Sequence, residues 1–282
     1  MGFFVTAACG LVGNYLMLRR MALMGDAVSH SVLPGLVIAF LLTGSRGTGA
    51  MFLGALLAGV ATTVIIETIH RKTRVKQDAS IGVTFTTLFA IGVVLVSVYS
   101  SQVDLDAECV LYGEIGFLPA LTGWSDVPEP LLRMGAVLIA VAILITVFYK
   151  ELLVSSFDAG LARSLGINTT LVYYGMMTIL SVVVVSAFEA VGSILVVAML
   201  ILPGATAGML TTRLAVVHVL SLVHAALSSV LGVHLALALG CQIGPAMVVA
   251  GAGLFALAWV FSPTQGLLRR WWRPVVLAKE TV

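Results

Sequence analysis

The stretch Leu18–Gly35, LRRMALMGDAVSHSVLPG, places two arginines directly before an apolar run that carries one acid and one imidazole. About 20 mainly apolar residues are enough to cross the hydrocarbon core of a bilayer, and this run continues to Thr43. A charge inside such a run is costly and usually has a function. The stretch therefore predicts a membrane-spanning helix with a polar site built into it.

The composition of the whole chain agrees with a membrane location. Apolar residues make up 60% of the 282 residues and charged residues 10%, whereas a soluble domain has roughly 45–50% and about 25%. The net charge of +2 and the lack of a basic patch interleaved with aromatics exclude a nucleic-acid partner. The chain is therefore predicted to be an all-α polytopic protein whose main surroundings are the lipid bilayer.

Scanning for apolar windows predicts about nine transmembrane helices, with eight as the alternative. Their approximate bounds are 2–18, 21–43, 50–69, 81–100, 131–149, 171–188, 190–210, 214–238 and 246–262.

The lysines and arginines of the loops predict the orientation of these spans. When the basic loop at 70–76 is placed in the cytoplasm, alternation puts all but Arg46 and Arg133 of the 15 basic residues on that side. The N-terminus is then predicted outside and the C-terminus inside. The loop at about 101–130, which is acidic, is predicted to be external.

Asp26 and His30 form the candidate metal site. They are four residues apart and therefore share one helix face. Counted from the two arginines at about 1.5 Å per residue, they lie about 10 Å and about 16 Å into the membrane. A carboxylate and an imidazole make half of a divalent-cation site, which a twofold-related copy would complete. The alternative is an Asp–His pair that satisfies itself and locks the helix to a neighbour.

Other polar residues in the predicted spans are interpreted more conservatively. Glu189, between spans six and seven, is a candidate acid behind the metal ligands or a gate ion pair. A solvated acid in the first turn of span seven is favoured over both. The histidines at 218, 224 and 234 do not share a face well and are interpreted as packing or pore-rim residues.

The segment between spans five and six predicts a short cytoplasmic amphipathic helix at about 156–167. Ser155 or Ser156 is expected to cap it, with Asp158 in its first turn and Gly166 ending it in a left-handed conformation. One edge is apolar and consists of Phe157, Leu161 and Leu165. An exposed apolar edge favours a soluble partner, and the alternative is a helix lying on the membrane surface.

Several motifs of enzymes are missing from the sequence. The chain has no GxxxxGK[ST], so it has no nucleotide-binding P-loop of its own. It also has no HExxH and no GxSxG, which argues against a membrane protease or hydrolase. An intramembrane hydrolase is therefore disfavoured.

The stretch Leu18–Gly35 closely resembles the signature of bacterial ABC-transporter permeases for manganese, zinc and iron. The similarity extends over essentially the whole chain, and Val103–Glu114 is most similar to the manganese/iron branch. The other matching segments are Ser80–Phe85, Val103–Glu114, Ser156–Asn168, Glu189–Ala207 and Phe261–Leu268.

This resemblance implies a type II-like importer permease in which residues 1–282 form a single transmembrane domain in the bacterial cytoplasmic membrane. It implies a second permease, identical or a paralogue, an external metal-binding protein and two cytoplasmic ATPases. The ATPases would grip the loop helix through Phe157, Asp158, Leu161, Ala162 and Gly166.

The resemblance also places Asp26 and His30 on the path of a transported manganese, iron or zinc ion, with no permanently bound cofactor. Without a thiolate near the site, copper(I) is disfavoured. The alternative function is a secondary divalent-metal transporter that needs no ATPase, in which the loop helix would matter little.

Overall fold

The computed structural model describes residues 1–44, 48–99, 128–262 and 266, and the regular structure in these ranges is helical. The predicted external loop lies outside the described residues from 101 to 127. The helices are α1 (Gly2–Leu18), α2 (Met24–Thr43), α3 (Thr48–Lys72), α4 (Gln77–Tyr99), α5 (Glu129–Val147), α6 (Tyr149–Phe157), α7 (Ala159–Ser164), α8 (Thr169–Val191), α9 (Ser193–Leu210), α10 (Leu214–Leu239) and α11 (Ile243–Phe261).

Nine of these helices correspond to the nine predicted spans. Seven are long and apolar enough to cross a membrane, and two shorter apolar helices, Gly2–Leu18 and Leu195–Leu210, accompany them. Large apolar side chains such as Leu42, Leu57 and Leu237 are exposed on the outside of the bundle. In water such a surface would be unfavourable, whereas in lipid it is the expected one. The all-α polytopic fold is confirmed.

Helix α1 lies at the centre of the bundle. It contacts α5, α8, α9 and α10, and its residues from Val5 to Leu16 are all buried. A helix that is apolar on all sides is expected in such a position. Its one buried amide, Asn14, donates to Nδ1 of His218 at 2.8 Å, which ties α1 to α10.

The approach of α1 to α9 is so close that it requires a glycine. A Cβ atom added to Gly13 would lie 1.9 Å from the carbonyl oxygen of Leu200, far inside contact distance. Small residues allow this kind of helix packing in membranes, where close contact replaces the hydrophobic effect as the driving force.

Gly13→Ala is therefore expected to destabilise the purified protein, since overpacking of this kind costs about 1–3 kcal/mol or more. Thermal unfolding in detergent measures the effect as a lower midpoint. Gly208→Ala is the matched control. Gly208 lies on α9, and nothing is within 4 Å of a Cβ atom added to it. Equal midpoints for the two variants would contradict the packing described.

Helix α2, which carries Asp26 and His30, is held between α3 and α4. A Cβ on Gly35 would lie 2.4 Å from the carbonyl oxygen of Gly54 on α3. On the other side, a Cβ on Gly92 of α4 would lie 2.9 Å from Cδ of Pro34. The backbone of α2 is thus fixed on two sides, which sets the direction of its polar face.

Candidate metal site

The chain enters α2 through a tight turn and not along a continuous helix. The amide of Met21 donates to the carbonyl of Leu16 at 2.8 Å, and α2 begins at Met24. Asp26 lies in the first turn of α2, where the helix dipole favours a carboxylate.

This turn means that the site cannot be counted along one continuous helix from the arginines. The sequence-based count assumed that the second span begins at residue 21, directly after the arginines. Measured from Met24, Asp26 and His30 lie only about 3 Å and about 9 Å along the helix axis. Both residues therefore lie in the first two turns of α2.

Asp26 and His30 do lie together on one face, as their spacing predicts. Oδ1 of Asp26 is 3.3 Å from Nε2 of His30, and the two side chains are 31% and 27% exposed. The neighbouring Ser29 and Ser31 are buried and donate to carbonyls of their own helix. The accessible polar groups on this face are thus a carboxylate and an imidazole.

Two phenylalanines of α4 fix the His30 ring. Phe85 stacks on it with centroids 5.8 Å apart, and Phe89 meets it edge-on at 5.4 Å. Aromatic contacts of this geometry hold a ring in one orientation. The imidazole is thereby held ready to bind a ligand together with Asp26.

The pair is an incomplete metal site by itself. Among the described residues, no group of three or more His, Cys, Asp or Glu side chains could hold a metal ion. A stable site for a divalent ion needs more ligands than two. Beyond the described residues, water or another chain could supply the remaining ligands.

Glu189 occupies a different position from the one predicted. Helix α8 runs through it to Val191 and ends at Gly192, whose φ of 81° is left-handed. The residue is therefore in the last turn of α8, so the interpretation as a first-turn acid of the next helix is wrong. The described structure does not include its side chain, and a role in the site stays a prediction.

The positions of the two buried histidines of α10 agree with the predicted packing roles. His218 is buried and lies 3.2 Å from the hydroxyl of Tyr15 as well as close to Asn14. His224 is also buried and lines a small cavity next to Pro203. His234 is exposed, with Nδ1 2.8 Å from the carbonyl of Val230.

One intramembrane acid was missed by the sequence analysis. Glu67 is buried in α3 and forms an ion pair with Arg71, one turn further along the helix. The spacing of the two residues could have indicated this pair, since an acid four residues before an arginine is a typical helical ion pair.

The loop helix is shorter than predicted and has a different cap. Helix α6 extends to Phe157, and α7 covers only Ala159–Ser164. Its cap is Asp158, whose Oδ1 accepts from the amides of Gly160 at 2.8 Å and Leu161 at 3.0 Å. The prediction that Ser155 or Ser156 caps a helix from about 156 is wrong.

The end of the loop helix is as predicted. The three side chains of its predicted apolar edge are exposed, but only Leu161 belongs to α7, since Phe157 ends α6 and Leu165 follows α7. Gly166 has a φ of 80°, the left-handed conformation expected after a helix end. Phe157, Leu161 and Leu165 are 65%, 50% and 62% exposed. Ala162 is fully buried, so it packs α7 against the rest of the chain and does not belong to the exposed edge.

Asp158→Ala is expected to loosen the start of α7, because loss of such a cap costs about 0.5–2 kcal/mol. Hydrogen–deuterium exchange of the peptide covering Gly160 and Leu161 should become several-fold faster. Asp158→Asn is the control, since asparagine caps equally well. If both variants exchanged at the same rate, the cap would not be what holds this turn.

These features together define a class: a multi-pass membrane protein with a partly exposed Asp–His pair on one helix and an exposed short helix on a loop. The model of the ABC 3 transport family matches residues 1–262. The chain therefore belongs to the ABC 3 transport family, as the resemblance implied. It is a membrane permease subunit of an ABC transporter and not an enzyme.

Two relatives and one solved structure show the similarity in detail. The chain is 42% identical to the manganese transport system membrane protein MntD of Bacillus subtilis, over 99% of this chain and 96% of that protein. It is 41% identical to the zinc transport system membrane protein TroD of Treponema pallidum, over 94% and 73%. The structure of PsaBC from Streptococcus pneumoniae in complex with Fab superposes with a TM-score of 0.79 at 33% identity, covering 95% of this chain and 92% of that one.

Proposed function

We propose that this chain is the permease of an ATP-driven importer of a divalent metal ion: manganese, iron or zinc. The observation that carries the proposal is the Asp26–His30 pair, held at 3.3 Å on a partly exposed face of α2. The ion is the cargo of the transporter and not a resident cofactor.

The ligand chemistry supports this choice of cargo. Carboxylate oxygen suits manganese, and imidazole suits zinc and iron. Two of the relatives carry manganese and zinc transport in their names. Manganese is the first ion to test, followed by zinc and iron.

A second permease completes the site in this proposal. A twofold axis beside α2 would bring a second Asp26 and a second His30 to the same ion, giving two carboxylates and two imidazoles. The partial exposure of both side chains leaves room for such a partner. A site shared between two chains can also open when the chains move apart, which allows the ion to be released.

The loop helix is the proposed contact with the ATPases. Three exposed apolar side chains in and beside this helix, Phe157, Leu161 and Leu165, can enter a groove on a soluble partner. Asp158, Ala162 and Gly166 respectively cap, anchor and end this helix. The lysine and arginine distribution supports a cytoplasmic position for this helix and an external N-terminus. The metal-binding protein would then dock on the outside.

The proposal is tested by uptake of ⁵⁴Mn²⁺ into proteoliposomes that contain the permease, its ATPase and the metal-binding protein. We expect uptake that requires ATP hydrolysis, with competition by zinc and iron measured alongside. Uptake that proceeds equally without ATP, driven by an ion gradient, would favour a secondary transporter instead.

A further inference from the structure

Arg19, at the end of α1, makes a contact that joins two functional parts of the protein. Its guanidinium donates from Nη2 to Oγ of Ser155 at 2.9 Å and from Nε to Oγ of Ser156 at 3.1 Å. Ser155 and Ser156 belong to the last turn of α6, more than 130 residues further along the chain. The contact therefore bridges the start and the middle of the sequence.

The surroundings of this contact indicate a specific position for the guanidinium. Arg19 is half-buried, and burial lowers the pKa of its guanidinium. Its neighbour Arg20 is exposed and has a φ of 58°, which non-glycine residues rarely adopt. The chain thus turns sharply directly after Arg19, and the turn directs one arginine inward and the other outward.

Each end of the contact leads directly to a functional element. Ser156 is two residues from Asp158, the cap of α7, and one residue from the exposed Phe157. After Arg19 the chain passes through the turn at Met21 and enters the first turn of α2, which contains Asp26.

We propose that Arg19 is a positioning residue that couples the ATPase-facing helix α7 to the metal helix α2. A displacement of α7 moves Ser155 and Ser156, and the guanidinium carries that movement to the α1–α2 turn and to Asp26. Arginine suits this role because its planar fork binds two acceptors in a fixed geometry. The inference rests on the proposed function, since it needs both an ATPase at α7 and a metal ion at Asp26.

The test is Arg19→Gln in the reconstituted complex with ATPase and metal-binding protein, measured as Mn²⁺ ions transported per ATP hydrolysed. We expect this ratio to fall about tenfold, the usual size of coupling between two sites. ATP hydrolysis and Mn²⁺ binding to the detergent-purified complex should stay near those of the unmodified protein. Arg20→Gln removes the same charge one residue away and should leave the ratio unchanged.

A second variant approaches the contact from the other side. Ser155→Ala combined with Ser156→Ala removes both acceptors and should lower the ratio as Arg19→Gln does. Adding Arg19→Gln to this pair should cause no further loss, because the same contact is already broken.

The outcomes separate this inference from the proposed function. If Arg19→Gln left the number of Mn²⁺ ions transported per ATP unchanged, including by lowering hydrolysis and uptake in proportion, the coupling role alone would be refuted. Absence of ATP-driven uptake by the unmodified complex would refute the proposed function and the coupling role together.

Discussion

Asp26→Ala is expected to lower ATP-driven Mn²⁺ uptake by about 100-fold or more. In the proposed site between two identical permeases, one substitution would remove both carboxylates. Loss of a group that merely supports a metal ligand already costs about 10- to 100-fold. His30→Ala should have an effect of similar size, since it removes both imidazoles. Uptake of ⁵⁴Mn²⁺ into proteoliposomes measures both variants.

Two matched controls separate the site from general damage. Asp78→Ala removes an exposed first-turn acid from α4, and His234→Ala removes an exposed histidine from α10. Both are expected to leave uptake within about twofold, the range of surface changes away from special features. If Asp26→Ala transported as well as Asp78→Ala, the pair would serve only to lock α2 in place.

Phe157→Asp is expected to abolish ATP-driven uptake while leaving Mn²⁺ binding to the permease intact. The side chain is 65% exposed, so the fold should tolerate the change. At an ATPase interface, however, it would bury an unpaired carboxylate in place of an apolar anchor. Removal of such an anchor typically costs about 2 kcal/mol or more, or roughly 30-fold in affinity.

Co-purification of the ATPase with the tagged permease measures this loss directly. Phe157→Leu keeps the apolar edge and should retain both the ATPase and the uptake. Normal ATPase binding by Phe157→Asp would assign α7 to the membrane surface, and ATP-independent uptake would point to a secondary transporter.

The existence of the helices could be predicted from the sequence, whereas their exact ends could not. Apolar windows flanked by lysine and arginine predict the nine spans, because lipid imposes their length and composition. The start of α2 is three residues later than predicted because Met21 bonds back to Leu16 and closes a turn. Hydropathy does not detect this later start, since Met21, Ala22 and Leu23 are as apolar as the helix that follows.

The cap of the loop helix shows where local rules leave a choice open. Ser155, Ser156 and Asp158 are all good capping residues. In the structure the two serine hydroxyls accept from Arg19, and Asp158 caps the helix. The deciding contact comes from a residue more than 130 positions away, which no local pattern indicates.

The part of the candidate site that lies within one helix could be predicted from the sequence. Asp26 and His30 are one helical turn apart, so their spacing predicts their contact. The pairing of Asn14 with His218 and the aromatic contacts of His30 with Phe85 depend on how separate helices pack. A ligand from a second permease lies outside one chain altogether, and the sequence can only indicate that half of a site is present.

The central claim, that Asp26 and His30 are half of a metal site shared by two permeases, is tested most directly by counting bound ions. Equilibrium dialysis of the detergent-purified permease–ATPase complex against ⁵⁴Mn²⁺ gives the stoichiometry. We expect one ion for every two permeases, lost in Asp26→Ala and in His30→Ala but retained in Asp78→Ala and His234→Ala. Binding that persists in Asp26→Ala and His30→Ala, or one ion for each permease, would contradict the claim.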